Sequence, residues 1–289
     1  MMRRGGGVSR VVASAAFVAA ALGGPLFSPA HAQVIGTGQN VVPVYEGWEQ
    51  NDDGTFNLVF GYYNRNWDED LNVPVGPDNI LEPGKPDQGQ PTRFLPRRNR
   101  FLFRVRVPKD FGKSEVVWTL TSRGKTERAY GTLKPDYFID DIVIQNNNGA
   151  GGAGGGAPDT IGNKAPSMEV TGGSQRTVRV GEQVTLTAFA NDDGKPRRKP
   201  MPMPQSAAGR AARGTPNAST GLRLAWFVYR GAGKVTFDPP QFEVWENYRE
   251  GGKWVNSVTF DEPGTYVLRC LAHDGGLMRT EDVTFIVTR

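Results

Sequence analysis

Apolar and polar residues alternate along most of this chain with a period of two, the spacing of half-buried strands. The clearest case is Val258 to Asp274, VTFDEPGTYVLRCLAHD. Val258 and Phe260 fall on one face of a first strand, and Tyr266, Leu268, Cys270 and Ala272 on one face of a second. Glu262-Pro263-Gly264 between them is turn chemistry, because Pro presets φ and Gly supplies positive φ. The same pattern predicts inward faces at Phe56, Leu58, Phe60 and Tyr62, at Phe101, Phe103, Val105 and Val107, and at Val116, Trp118 and Leu120. Later in the chain it predicts them at Val184, Leu186, Ala188 and Ala190, at Leu222, Leu224, Trp226 and Val228, and at Val283, Phe285 and Val287. Further strands are expected at Val41 to Tyr45, Arg128 to Leu133 and Tyr137 to Ile144. No stretch sustains a 3.6-residue apolar period, so the expected fold is all-β.

Composition then divides the strands into two groups. Asn146 to Pro158, NNNGAGGAGGGAP, offers no side chain able to pack and predicts a flexible coil with a reach of roughly 20 Å. The expectation is two β-sandwich domains, residues 33–145 and 166–289, joined by a Gly-rich flexible linker at 146–165. Such a linker tethers its domains and leaves their surfaces independent. In the first domain, Val73 to Pro96 is rich in Pro, Gly and Asp and reads as a long ordered loop or series of turns. In the second, the insert 195–221 holds Lys195, Arg197, Arg198, Lys199, Arg210 and Arg213 and no acid. It is expected to be a disordered basic loop.

The N-terminus changes the reading of charge. Arg3, Arg4 and Arg10 precede or begin an apolar run from Val11 to Leu22, and Ala30-His31-Ala32 fits a small-x-small cleavage site. Residues 1–32 are therefore predicted to be a signal peptide, making the chain periplasmic, secreted or cell-surface. Cleavage would remove three of the 34 basic residues and none of the 30 acidic ones. The near-neutral remainder gives no ground for a nucleic-acid partner, and no later stretch could span a bilayer. The single cysteine, Cys270, lies on the apolar face of its strand and reads as a small buried hydrophobe.

Several segments resemble a known module. Thr177 to Leu186 (TVRVGEQVTL), Leu224-Ala225-Trp226, Phe260 to Arg269, Ala272-His273-Asp274-Gly275 and Val283 to Val287 resemble, in order and spacing, a PKD-type immunoglobulin-like domain over roughly Met168 to Thr288. The Trp-x-Phe-Gly-Asp-Gly signature of many such domains is missing: Trp226-Phe227-Val228-Tyr229 runs on differently. The resemblance implies an extracellular spacer or interaction domain with no chemistry of its own. Glu46-Gly47-Trp48 and Phe60 to Asn66 resemble an uncharacterised exported bacterial domain, which implies location alone.

Candidate chemistry is sparse. His273 is the one histidine after the leader, and it is expected to be an exposed loop residue rather than part of a Ser-His-Asp or Cys-His arrangement. Zinc wants three or four His or Cys ligands, and no twelve-residue calcium loop occurs. The sequence therefore assigns no metal, cofactor or catalytic residue. Asp52-Asp53, Asp68-Glu69-Asp70, Asp140-Asp141 and Asp192-Asp193 read as turn formers. Two leads remain. Trp48, Tyr63 and Trp67 are candidates for an exposed ligand platform, since flat rings stack on sugar faces at low entropic cost. Arg97, Arg98, Arg100, Arg104 and Arg106 are candidates for a basic face. The expected function is a non-catalytic structural or binding module of the periplasm or cell surface, with a protein or polysaccharide partner at the cell envelope. The alternatives are a carbohydrate-binding module using the three rings, or a glycan-acting hydrolase using carboxylates of the first domain.

Overall fold

The alternating pattern becomes sixteen strands in a computed structural model that describes residues 35–148, 160–197, 221–238 and 252–289. The predicted signal peptide, most of the glycine stretch and most of the basic insert lie outside the described residues.

In the N-terminal half, β1 (Val41–Gln50), β2 (Phe56–Asn64) and β6 (Arg97–Val107) form one antiparallel sheet. A second sheet joins β4 (Asn79–Glu82), β7 (Val116–Ser122) and β8 (Lys125–Gly131), and β3 (Leu71–Asn72) pairs with β5 (Arg93–Phe94). The predicted inward faces meet between the sheets: Leu58, Phe60 and Tyr62 pack with Phe103, Val105, Trp118 and Leu120. Phe60 stacks on Phe103 at 5.5 Å between ring centres, and Trp118 meets Phe103 edge-on at 5.0 Å.

The Val73 to Pro96 segment is ordered around one buried amide. Asn79 donates from Nδ2 to the Val73 and Pro91 carbonyls (2.9 and 2.8 Å), and its Oδ1 accepts from the Trp118 indole at 2.9 Å. Two expectations are corrected here. Tyr137 to Ile144 is not a strand: a 3-10 turn, Pro135–Tyr137, leads to helix α1, Asp141–Asn147. Asp140 diverts the chain by accepting the Val143 N–H at 2.8 Å, an N-cap that alternation alone does not announce. Phe101 does not share the face of Phe103, because its φ of 52° falls at a register shift between β2 and β6. It packs instead with Val59, Ile144 and Leu277.

In the C-terminal half, one sheet runs β13 (Val235–Asp238), β14 (Lys253–Phe260), β11 (Val184–Asn191), β9 (Ser167–Val170). The other runs β10 (Gln175–Arg179), β16 (Met278–Thr288), β15 (Gly264–His273), β12 (Arg223–Arg230). Only β10 and β16 pair in parallel, and the strand order is that of an immunoglobulin-type sandwich. Trp226, Phe260, Leu268, Cys270 and Phe285 fill its core. At the turn into β15, the Tyr266 hydroxyl donates to the Glu262 carbonyl at 2.9 Å, the corner tyrosine such sandwiches use to lock that crossing.

The expectation of independently presented surfaces is also corrected. Val34–Arg289 cluster as one compact unit. β12 is buried almost throughout, because its second face, Ala225, Phe227 and Tyr229, packs on Leu95 and Leu102 of the N-terminal half. Its free edge is taken as well. Thr92 donates its N–H to the Tyr229 carbonyl at 3.1 Å, and the Tyr229 hydroxyl donates to the Gly89 carbonyl at 2.5 Å. Arg230 makes a two-pronged pair with Asp87, 2.8 Å on each arm. The long loop is thus the docking element of the N-terminal half.

At the centre of this junction, buried Arg269 donates to Asp282 through Nε and Nη2 (2.7 and 2.8 Å) and to the Leu102 carbonyl through Nη1 (2.6 Å). Its guanidinium carbon sits 3.5 Å from the Tyr229 ring centre. Removing it leaves the Leu102 carbonyl without its donor and uncovers the Tyr229 ring. Arg269→Ala is therefore expected to cost about 1–3 kcal/mol in chemical denaturation. A loss below about 0.5 kcal/mol, the range of ordinary surface changes, would mean the junction does not couple the halves.

Candidate functional site

The structure brings two of the three predicted platform rings together and sets the third apart. Trp48 pairs with Leu58 across β1 and β2, and so shares its core-facing side. Its indole donates to the Lys134 carbonyl at 2.9 Å, and its ring packs against Phe56 (5.5 Å) and Phe138 (5.0 Å). Tyr63 pairs with Val42 and lies on the opposite face, one step along from buried Tyr62. Trp67 follows in the turn after β2.

What joins Tyr63 and Trp67 is Arg97. Its guanidinium carbon lies 3.8 Å from the Trp67 ring centre and 4.9 Å from that of Tyr63. Arg97 has a φ of 68°, a left-handed conformation that costs a non-glycine residue about 1–3 kcal/mol unless its surroundings impose it. Its cross-strand partner Asn64 points its amide inward, donating to the Glu69 and Phe94 carbonyls (2.8 and 2.9 Å). The unusual backbone takes the Arg97 side chain out of that direction and over the rings.

The turn that carries Trp67 is equally fixed. Asn66 is fully buried and donates to the Asn64 Oδ1 at 2.8 Å and to the Gln39 carbonyl at 2.9 Å. The Trp67 N–H donates to the Gly36 carbonyl at 3.0 Å. These contacts fix the backbone of the turn from which the indole projects.

The predicted five-arginine face is largely neutralised. Arg98 stands 2.7 Å from Glu46, Arg104 makes two 2.7 Å bonds to Glu49, and Arg106 pairs with Asp53. Arg97 and Arg100 have no ion pair among the described residues. Burial and the neighbouring Arg98 charge hold the Arg100 guanidinium below its ordinary pKa. Sequence spacing grouped five arginines alike. It carried no sign of which one would be stacked, because the positive φ at Arg97 is a product of tertiary packing.

His273 is not exposed, which corrects the expectation made for it: it is fully buried at the end of β15, and its Nδ1 accepts the Gly275 N–H at 2.6 Å. Burial, helped by the Arg223 charge, pushes its pKa down to about 3. Beside it Asp274, also fully buried, accepts from the Gly276 and Leu277 N–H groups (2.5 and 2.7 Å) and from Asn163 Nδ2 at 3.1 Å. Burial pushes the Asp274 carboxyl up to about 7. Asn163 also donates to Gln145 Oε1 at 3.0 Å, and Asn148 to the Gly276 carbonyl at 2.8 Å. Residues on both sides of the glycine stretch are therefore tied to one turn of the C-terminal half. This knot corrects the expectation of a linker starting at Asn146: Asn146 and Asn147 end α1, and Asn148 is buried.

The remaining acids do turn work. Asp53 accepts from Thr55, Asp140 caps α1, and Asp192 and Asp193 accept from Gly194 and Lys195. An open cleft of about 570 Å³ lies between residues 70–78 and 121–123, where Asp70 is paired with Arg93 and Arg123 with Glu69. Among the described residues no group of three or more His, Cys, Asp or Glu side chains is placed to hold a metal ion. No described helix is long and apolar enough to cross a membrane.

With fold and site in view, the class is a paired-sandwich β protein bearing an arginine-aromatic stack. No protein-family model matches the chain, and no curated protein matches its sequence. Among solved structures it is similar to a conjugative transposon lipoprotein from Bacteroides eggerthii (14% identity, 42% of this chain and 95% of that one, TM-score 0.28). It is similar also to domains 4 and 5 of the S-layer protein SbsC (9% identity, 76% and 81%, TM-score 0.26) and to the Lin-41 filamin domain (13%, 44% and 99%, TM-score 0.24). Likenesses this distant carry no conclusion about what this chain does.

The knot has a pH signature. Asp274 holds its proton more tightly folded than unfolded, so its contribution is full below its unfolded pKa of 3.8 and lost as pH rises through about 7. His273 does the reverse: its contribution is full above 6.5 and lost as pH falls toward about 3. The two oppose each other between those limits. In Asp274→Asn the carboxyl term disappears, so its stability relative to the parent is expected to rise from pH 4 to pH 7 by about 4 kcal/mol at most. Urea denaturation at stepped pH checks this, and a difference independent of pH would contradict it.

Proposed function

We propose that this chain is a non-catalytic binding module of the cell envelope, exported by its leader and engaging polysaccharide through the Tyr63–Arg97–Trp67 stack. The observation that carries this reading is the stack itself: two rings and a guanidinium, half-buried and held by a buried amide turn, at the surface of the N-terminal half. Rigid aromatic surface of this kind gives contact area at little entropic cost. The non-catalytic part is supported by the burial of His273 and Cys270, the two residue types most suited to proton transfer and nucleophilic attack, inside the C-terminal half. On this reading Trp48 is a packing residue, and the C-terminal half is the PKD-type spacer its motifs resemble. It is docked onto its neighbour and keeps the binding face at a set orientation.

A glycan array probed with the full chain tests the proposal. A defined set of polysaccharides should be retained, with Trp67→Ala lowering binding about tenfold, roughly 1.4 kcal/mol. Retention that survives Trp67→Ala, or no glycan retained at all, would overturn it.

A further inference from the structure

We infer that the glycan this module takes is anionic, a polysaccharide whose sugars carry carboxylates, and that Arg97 is the residue that selects it. The inference rests on the sugar-binding reading above and adds the charge of the ligand.

Arg97 is stacked on Trp67 at 3.8 Å and flanked by Tyr63 at 4.9 Å, which orients the plane of its guanidinium. Its one hydrogen bond among the described residues is a 3.4 Å contact from Nη1 to the Arg65 carbonyl. Most of the fork is therefore uncommitted, while the paired arginines further along the sheet are not. A planar, pre-oriented fork matches a carboxylate bidentately, and the entropic cost of holding it in place is already met by the protein.

The charge around the stack is mixed. Arg98 lies directly across from Tyr63 but is paired with Glu46, Arg100 follows two residues on, and Asp68 and Glu69 follow Trp67, Glu69 being paired with Arg123. Arg65 is exposed and holds only the Asn40 amide oxygen at 3.4 Å. The two rings, Arg97 and the exposed Arg65 thus lie at one end of β2 and β6. The left-handed φ of 68° at Arg97, imposed by the packing around Asn64 and Asn66, holds the guanidinium over the rings before any ligand arrives. A pyranose with a carboxylate offers the complement: an apolar C–H face for the rings and an anion for the fork. A nucleic acid would also present anions and flat faces. The near balance of 34 basic and 30 acidic residues over the chain does not favour so dense a polyanion.

Isothermal titration of the full chain with a galacturonate oligomer, the matching neutral galactose oligomer and a single-stranded oligothymidylate tests the inference. The galacturonate oligomer should bind at least about tenfold more tightly than the neutral one, and its affinity should fall with added salt. Arg97→Lys, which keeps the charge but loses the fork, should lose about tenfold. The exposed Tyr130→Ala on β8 should change nothing. Arg65→Ala, outside regular structure, should lose about threefold and covers the case in which an Arg97 variant fails to fold. Equal binding of the neutral oligomer, still dependent on Trp67, would overturn the inference and leave the sugar-binding reading standing. Full affinity in Arg97→Lys would overturn it too, as would tighter binding of oligothymidylate. Binding of none of the three would remove both readings.

Discussion

The described molecule depends on one constraint: β12 is apolar on both faces and must be covered twice. One face closes the C-terminal sandwich around Trp226. The other, with Phe227 and Tyr229, would face water if the halves were separate, and instead it packs on Leu95 and Leu102. Apolar area removed from water returns roughly 25 cal/mol per Å², so an uncovered second face would both forgo that gain and leave an aggregation-prone edge. Leu95 and Leu102 cover that face, and the loop at residues 87–93 takes the edge, pairing with it through Thr92 and clamping its end through Asp87 and Arg230.

Polar groups then set the orientation that the apolar contact alone would leave loose. Arg269 is buried, with three of its donors given to Asp282 and the Leu102 carbonyl and its guanidinium lying on the Tyr229 ring. A buried cation satisfied this way fixes geometry, because few arrangements satisfy it. The knot of Asp274, Asn163, Gln145 and Asn148 does the same a short way off. The glycine stretch therefore joins two anchored points, and the Tyr63–Arg97–Trp67 stack belongs to a body larger than its own sandwich.

Most of the strand content was legible because the period of two is a direct record of which side is wet. Val116 to Leu120 shows this residue by residue, and Tyr266, Leu268, Cys270 and Ala272 all fall inside as their spacing predicts. The failures have physical causes. Tyr137 to Ile144 alternates acceptably, but the Asp140 cap turns it into a helix. Phe101 belongs to the right strand and the wrong face, because a bulge with positive φ intervenes. The junction was legible in principle: Leu224 to Tyr229 is apolar without a break, the mark of a strand buried on both sides. Alternation through Leu224, Trp226 and Val228 marks one of its two faces and is silent on the other. At the site, composition singled out Tyr63 and Trp67 and added Trp48, which sequence spacing could not place on the other face. Arg97 stayed hidden among its neighbours, since the backbone twist that lifts it out is imposed by packing around Asn64 and Asn66.

The claim that everything else rests on is the pairing of the 87–93 loop with the edge of β12. Native-state hydrogen exchange of the Thr92 amide measures it directly, because that N–H has no partner in its own half and bonds the Tyr229 carbonyl across the junction at 3.1 Å. The account predicts that Thr92 exchanges as slowly as the amides inside β12 and slows or speeds together with them. Exchange at the rate of an open loop, with β12 still protected, would contradict it.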